Sequence, residues 1–368
     1  MQIRPFSLDL SSPLETARGA IDRREGFLVG VSPDADGQSA PAPGLGEATP
    51  LPGWTESRSA CRDALREATG GDGGALLPDA RSRLDPAETP AARHGLSLAL
   101  ADAEARAGGR SLAEQLAREA SLPAPAPTVP VNATIGDGGP EATVDAAERA
   151  VARGFDCLKV KVGARGLDAD VERLSAVRRA VGDAVALRAD ANGAWDRPTA
   201  REAVARLAPL DLAYLEQPLP ADDLDGAAAL RSLRRAGGQA ADGDPPVPIA
   251  LDESLSTHGI GAVLDAAAAD AVVLKPMALG GPDRAVAAAT RARAAGVEPV
   301  VTTTVDAVVA RTAAVHVAAA VPDVAACGLA TGSLLDTDLA ADPYRIGGGE
   351  ASVPSGPGLA GDAFADLP

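Results

Sequence analysis

Lysine is nearly absent. Only Lys159, Lys161 and Lys275 occur in 368 residues, although Lys and Arg together number 34. Arginine therefore supplies almost every positive charge. Arginine stays protonated in proteins, whereas a lysine amine releases its proton once burial or a neighbouring cation lowers its pKa. The three lysines are thus candidates for proton transfer. Two lie in the short β-branched run Cys157-Leu-Lys-Val-Lys-Val162, and the third ends Val272-Val-Leu-Lys275. The competing reading is an arginine-favouring mutational bias that spared three structural lysines, and scattered surface lysines would seldom fall this way.

Other scarcities exclude whole classes. Three cysteines, Cys61, Cys157 and Cys327, form no even disulfide framework and no C-x-x-C metal spacing. No window reaches 18 consecutive apolar residues, and the start Met1-Gln-Ile-Arg-Pro-Phe shows no basic region followed by a long apolar stretch. A cytoplasmic location, without membrane attachment, is the expectation. Positive charge is outweighed overall, with a net charge of −17 and dispersed acidic residues. This argues against nucleic acid or anionic membrane as a partner and leaves a small molecule. Such acidity with scarce lysine also suits a chain kept soluble in concentrated salt, so a halophilic source is expected. Homo-oligomer formation is left open.

What is present is a repeat of short β-like runs, turns and alanine-rich helical stretches. The candidate strands are residues 131–135, 157–162, 185–190, 212–216, 249–252, 271–275, 299–303 and 327–331, with starts 22 to 37 residues apart. Eight strand-plus-helix units predict an α/β fold, a (β/α)8 TIM-type barrel. The longest gap holds a Gly- and Pro-containing insertion at 234–246. Residues 1–125 read as an α+β capping domain, with a strand at 27–31 and helical runs over 91–115 broken at Gly108-Gly109. The barrel catalytic domain is placed at 126–334. Residues 335–368, Gly- and Pro-rich, are expected to pack on the capping domain and complete it.

In such barrels the active site lies at the carboxyl ends of the strands. The third, fourth and fifth candidate strands end in Arg188-Ala-Asp190-Ala-Asn192, Tyr214-Leu-Glu216-Gln-Pro218 and Ala250-Leu-Asp252-Glu253-Ser254. A strand-terminal Asp is commonly just a helix N-cap. Three carboxylates on adjacent strands repel one another unless a cation joins them, and an all-oxygen set suits Mg²⁺, with Mn²⁺ as a substitute. Residues i and i+2 share a face of a strand, so Lys159 and Lys161 both point into the mouth, with Lys275 opposite. A carboxylate substrate between them fits proton abstraction with stabilisation of an enediolate.

The ordered set Lys159-x-Lys161, Asp190, Glu216, Asp252 and Lys275 behind an α+β module resembles the enolase superfamily, in its muconate-lactonizing-like subgroup. The resemblance implies that Asp190, Glu216 and Asp252 ligate Mg²⁺, that Lys161 is the general acid/base, that Lys159 lowers its pKa, and that Lys275 opposes it. Asn192 and Glu253 would support the ligands. The segments 18–29, 44–56 and 328–332 resemble the o-succinylbenzoate synthases of that subgroup, which implies a dehydratase on the route to menaquinone. Thr303 and Thr304 would then meet the second substrate carboxylate, and Arg18 and Trp54 would close over it. Dipeptide epimerases of the subgroup carry Asp-x-Asp at the eighth strand, where this chain has Leu329-Ala-Thr331, with Asp336-Thr-Asp338 only later. N-succinylamino acid racemase, dipeptide epimerase, muconate-type cycloisomerase and a non-catalytic metal-binding barrel are the other readings. His94, His258 and His316 receive no role.

Overall fold

The computed structural model describes residues 1–16, 19–32, 42–69, 76–77, 79–235 and 247–367. Strands β1 (Gln2–Thr16) and β2 (Gly19–Val31) form a long antiparallel hairpin, and β3 (Gly44–Ala48) adds to β2. The sequence reading foresaw only residues 27–31, because β1 shows itself as alternation rather than as an apolar run. Its Leu8 and Leu10, two residues apart, are buried against Ala307 and Leu335. Strand β3 rests directly on the helix Pro90–Ala107: a Cβ at Gly46 would stand 2.0 Å from the Gly95 carbonyl oxygen. A second helix, Leu112–Glu119, follows the break at Gly108-Gly109.

The remainder winds around a curled parallel sheet. After β4 (Thr128–Pro130) come β5 (Ala133–Ile135), β6 (Cys157–Lys161), β7 (Ala186–Asp190), β8 (Leu212–Glu216), β9 (Ile249–Leu251), β10 (Ala271–Leu274) and β11 (Glu298–Val301). Strands β5 to β11 lie side by side in chain order. These strands are short, apolar and covered by helices on their outer face, as parallel sheets require. The expected eighth strand is reduced to two bridging residues: Cys327 pairs with Val131 and Gly328 with Thr302, joining the two edges of the sheet. A side chain at position 328 would collide with Thr302, its Cβ only 2.5 Å from the Thr302 hydroxyl. Beyond Gly328 the chain leaves the sheet for a short 3₁₀ turn, Gly332–Leu334. The insertion noted in the sequence falls mostly outside the described residues. No helix among the described residues is long and apolar enough to cross a membrane.

The chain end divides its contacts. Strand β12 (Ile346–Gly347) pairs with β13 (Glu350–Ser352), which pairs with β4, beside the sheet rather than on the capping module. Farther on, the Leu359 amide donates to Asp102 and the Leu112 amide donates to the Gly358 carbonyl, both on capping helices or their flank. Buried His316, on the helix Val308–Ala320, completes this junction. Its Nδ1 accepts from the Ala113 amide at 3.3 Å, and its Nε2 donates to the Leu359 carbonyl at 2.6 Å.

Burial pushes His316 down to about 4 from an ordinary 6.5. The unfolded chain therefore takes up this proton where the folded protein does not. The His316 contribution to the unfolding free energy should be level above about pH 6.5, fall by on the order of 3 kcal/mol between there and about pH 4, and level again. Urea unfolding of the protein and of His316→Gln across that range isolates this share, since the variant should lack that part of the slope.

Candidate active site

The ends of β6 to β10 gather the predicted charged groups. Lys159 Nζ donates to Glu216 Oε1 at 2.9 Å and Oε2 at 3.1 Å, and stands 3.0 Å from Asp190 Oδ2. Lys161 Nζ donates to Asp190 Oδ2 and to Asn192 Oδ1, both at 2.7 Å. Lys275 Nζ donates to Asp252 Oδ2 at 2.7 Å. Pairing of Lys161 with Asp190 and of Asp190 with Glu216 across the sheet sets these contacts. The two neighbouring lysines differ in depth: the Lys161 side chain is 32% exposed and that of Lys159 14%. Lys161 is therefore the amine within reach of a molecule entering the mouth.

The charges are strongly coupled. Burial first, and then the charge of Asp190, push Glu216 up to about 8. Burial also works against ionised Asp190, but Lys159 and Lys161 outweigh it and hold Asp190 well below the usual carboxylate range. Burial likewise opposes a charged Lys159, and Asp190 and Glu216 overcome it, so Lys159 is a firm ammonium.

Two strand ends turn through the left-handed region, at Asn192 (φ 45°) and Gln217 (φ 39°). Asn192 links the groups around it: its amide donates to Asp190 Oδ1 at 3.1 Å and its Nδ2 to Glu253 Oε1 at 3.0 Å. Gln217 was missed by the sequence reading. Its Oε1 accepts from the amides of Asp252 and Ser254, and its Nε2 donates to Ser254 Oγ and the Leu219 carbonyl. It thereby fixes the turn that carries Asp252. Arg188 was missed as well. Buried below the mouth, its guanidinium lies over the Tyr214 ring at 4.6 Å and donates to the Ala326 carbonyl at 2.6 Å. A polar residue beside a strand-terminal carboxylate was the only available signal for either.

As placed, no three carboxylate, imidazole or thiolate groups among the described residues form a metal-ready cluster, because each carboxylate is turned onto an amine. The donor set nevertheless fits a hard cation. Asp252 Oδ1 and Glu253 Oε2 are buried without a hydrogen-bond partner, a costly state for acceptors facing other carboxylates.

The capping residues are placed as follows. Trp54 lays its ring over Lys275, with Nζ 3.2 Å from the centroid. A small space of about 20 Å³ remains between Trp54, Asp252, Lys275 and Leu279. A far larger cavity, about 800 Å³, lies on the capping module between Arg4, Phe27, Arg58 and Arg66, away from these groups. Arg18 lies outside the described residues. Thr303 Oγ is 3.0 Å from Thr331 Oγ, beside the Gly328 bridge. Thr304 does not offer its hydroxyl or amide to a substrate, since both donate to Asp306 two residues on; such a turn is a common use of a threonine-aspartate pair. Asp338 is taken up by Arg311 at 2.9 Å and by the Val308 amide, and the Asp336 amide donates to the Asp9 carbonyl.

Residues 142–362 match the family described as Enolase C-terminal domain-like. An o-succinylbenzoate synthase of Thermobifida fusca is 42% identical over 233 residues, 62% of this chain and 67% of that protein. An L-Ala-D/L-Glu epimerase of Bacillus subtilis is 29% identical over 366 residues, 96% of this chain and 93% of its own. Racemases and chloromuconate cycloisomerases match as well. A crystal structure of a dipeptide epimerase from Methylococcus capsulatus, complexed with Mg and the dipeptide L-Arg-D-Lys, superposes with a TM-score of 0.80 at 28% identity, covering 98% of each chain. With lysines and carboxylates at the expected strand ends, the chain belongs to the enolase superfamily.

Proposed function

We propose that this enzyme is an o-succinylbenzoate synthase. It would remove water from 2-succinyl-6-hydroxy-2,4-cyclohexadiene-1-carboxylate to give 2-succinylbenzoate, on a (β/α)8 barrel whose eighth strand is the Cys327-Gly328 bridge. The observation that carries the choice is the eighth strand end. Leu329-Ala-Thr331 brings no acidic pair there to hold a substrate ammonium, and Asp338 is committed to Arg311. The likeness to the Thermobifida fusca protein supports the same reading.

Asp190, Glu216 and Asp252 would hold Mg²⁺, with Glu253 and Asn192 steadying them. When bound, the cation supplies positive charge for the oxygens of an enediolate. Lys159 and Lys161 stand against Asp190 and Glu216, and Lys275 stands against Asp252. With a divalent cation held there as well, the three lysines and the metal would exceed the charge of Asp190, Glu216, Asp252 and Glu253, and so balance a carboxylate substrate. Lys161 takes the proton alpha to the ring carboxylate and returns it to the departing hydroxide on the same face, so that water leaves and the ring becomes aromatic. Lys159, one step deeper, remains an ammonium beside Asp190 and Glu216. Lys275 faces the opposite side of the ring as a charge. Thr303 is the remaining hydroxyl candidate for the succinyl carboxylate.

The second reading is a racemase or epimerase, favoured by the intact Lys275 on the far face. Incubation with Mg²⁺ and the diene acid, and separately with N-succinyl amino acids in D₂O, tests the choice. The expected result is an aromatic ultraviolet product that EDTA abolishes and Mg²⁺ restores. Deuterium incorporation into the amino acid without any aromatic product would assign the enzyme to the racemases instead.

A further inference from the structure

Arg24 sits on β2, opposite Leu8 in the hairpin, and is 2% exposed. Its donors all go to backbone carbonyls: Nη2 to Thr49 at 2.8 Å, Nη1 to Pro50 at 3.1 Å, and Nε to Val305 at 3.1 Å. Thr49 and Pro50 are the root of the capping turn that carries Trp54, whose amide closes back onto the Leu51 carbonyl at 2.9 Å. Val305 belongs to the turn after β11, where its amide donates to Thr303 Oγ at 3.3 Å. One guanidinium thus joins the turn that carries Trp54, which lies over Lys275 at the end of β10, to the turn that follows the neighbouring β11.

Both turns need holding. Val305 adopts φ 60°, a conformation costly for a β-branched residue unless its surroundings impose it. The turn is also gripped from the other end by buried Glu47 of β3. This carboxylate accepts from the amides of Ala307 at 2.9 Å and Ala310 at 2.8 Å, and from the Thr49 hydroxyl. Trp54 lies on Lys275, so the position of its root decides where the ring stands at the mouth. A single-point cation such as lysine cannot reproduce three diverging bonds.

We propose that Arg24 is a positioning residue for substrate recognition, fixing the root of the Trp54 turn against the 303–306 turn that presents Thr303. The role rests on reading this mouth as the active site. The test uses whichever substrate the wild type turns over, so a wrong subfamily shows in the wild type and a wrong role for Arg24 only in the variants. In a Trp195→Phe background Trp54 is the remaining tryptophan, and its emission reports the capping turn. Arg24→Lys should raise KM on the order of tenfold to a hundredfold, keep most of kcat and the Mg²⁺ affinity, and red-shift Trp54. A folded Arg24→Lys with unchanged KM, or with KM raised and Trp54 emission unmoved, overturns the coupling. Should Arg24→Lys fail to fold, Arg24→Gln decides by the same readings, and an unchanged KM there overturns the proposal.

Discussion

Lys161→Arg is expected to fold, to bind Mg²⁺ with near-native affinity, and to lose catalysis by roughly 10²- to 10⁴-fold in kcat, the span that a positioned general base supplies. The substitution keeps a cation where Lys161 now bonds Asp190 and Asn192 at 2.7 Å. What it removes is a releasable proton, because a guanidinium stays protonated. Single-turnover formation of the aromatic product, with thermal unfolding and Mg²⁺ titration alongside, separates these effects. Residual dehydration near the wild-type rate would take the acid/base role from Lys161. A large drop in melting temperature would instead mark Lys161 as a structural partner of Asp190.

Lys275→Arg should divide the two candidate activities. A synthase needs only charge on that face, so dehydration should persist within about tenfold, the cost of a less compact cation in a crowded position. A racemase needs a base there, and deuterium exchange at the substrate alpha carbon should fall by roughly 10²- to 10⁴-fold. The surroundings favour charge. Asp252 lies 2.7 Å from Nζ, and the Trp54 ring covers the ammonium at 3.2 Å from its centroid, both contacts made by a cation. Rates of product formation and of deuterium wash-in for one preparation settle which effect dominates. Equal loss of both activities would mean that Lys275 acts as an acid or base in either reaction.

Much of this site was legible because strand periodicity converts spacing into direction. Lys159 and Lys161, two residues apart, had to share a face, and Asp190 and Glu216 had to end neighbouring parallel strands. The eighth strand was less legible. Its run looks like the others, but the closeness of Thr302 to Gly328 leaves two bridging residues and a turn. Thr304 was misread for a similar reason: nothing local distinguishes a threonine facing substrate from one whose hydroxyl turns back onto Asp306. The β1–β2 hairpin escaped notice because its apolar positions alternate with polar ones over a long span and never form a run.

By itself the sequence determined which charged residue types stand at the strand ends, and on which strands. Scarce lysine and strand-terminal carboxylates are local facts, and the two-residue period of a strand carries them to one face at the ends of the parallel sheet. Tertiary structure alone decided the partners. Pairing each carboxylate with an amine, setting Lys161 outward of Lys159, placing Trp54 on Lys275 and joining two distant turns through Arg24 all depend on contacts between segments far apart in the chain. Such contacts are set by packing and by the need to satisfy buried polar groups, neither of which any local pattern records.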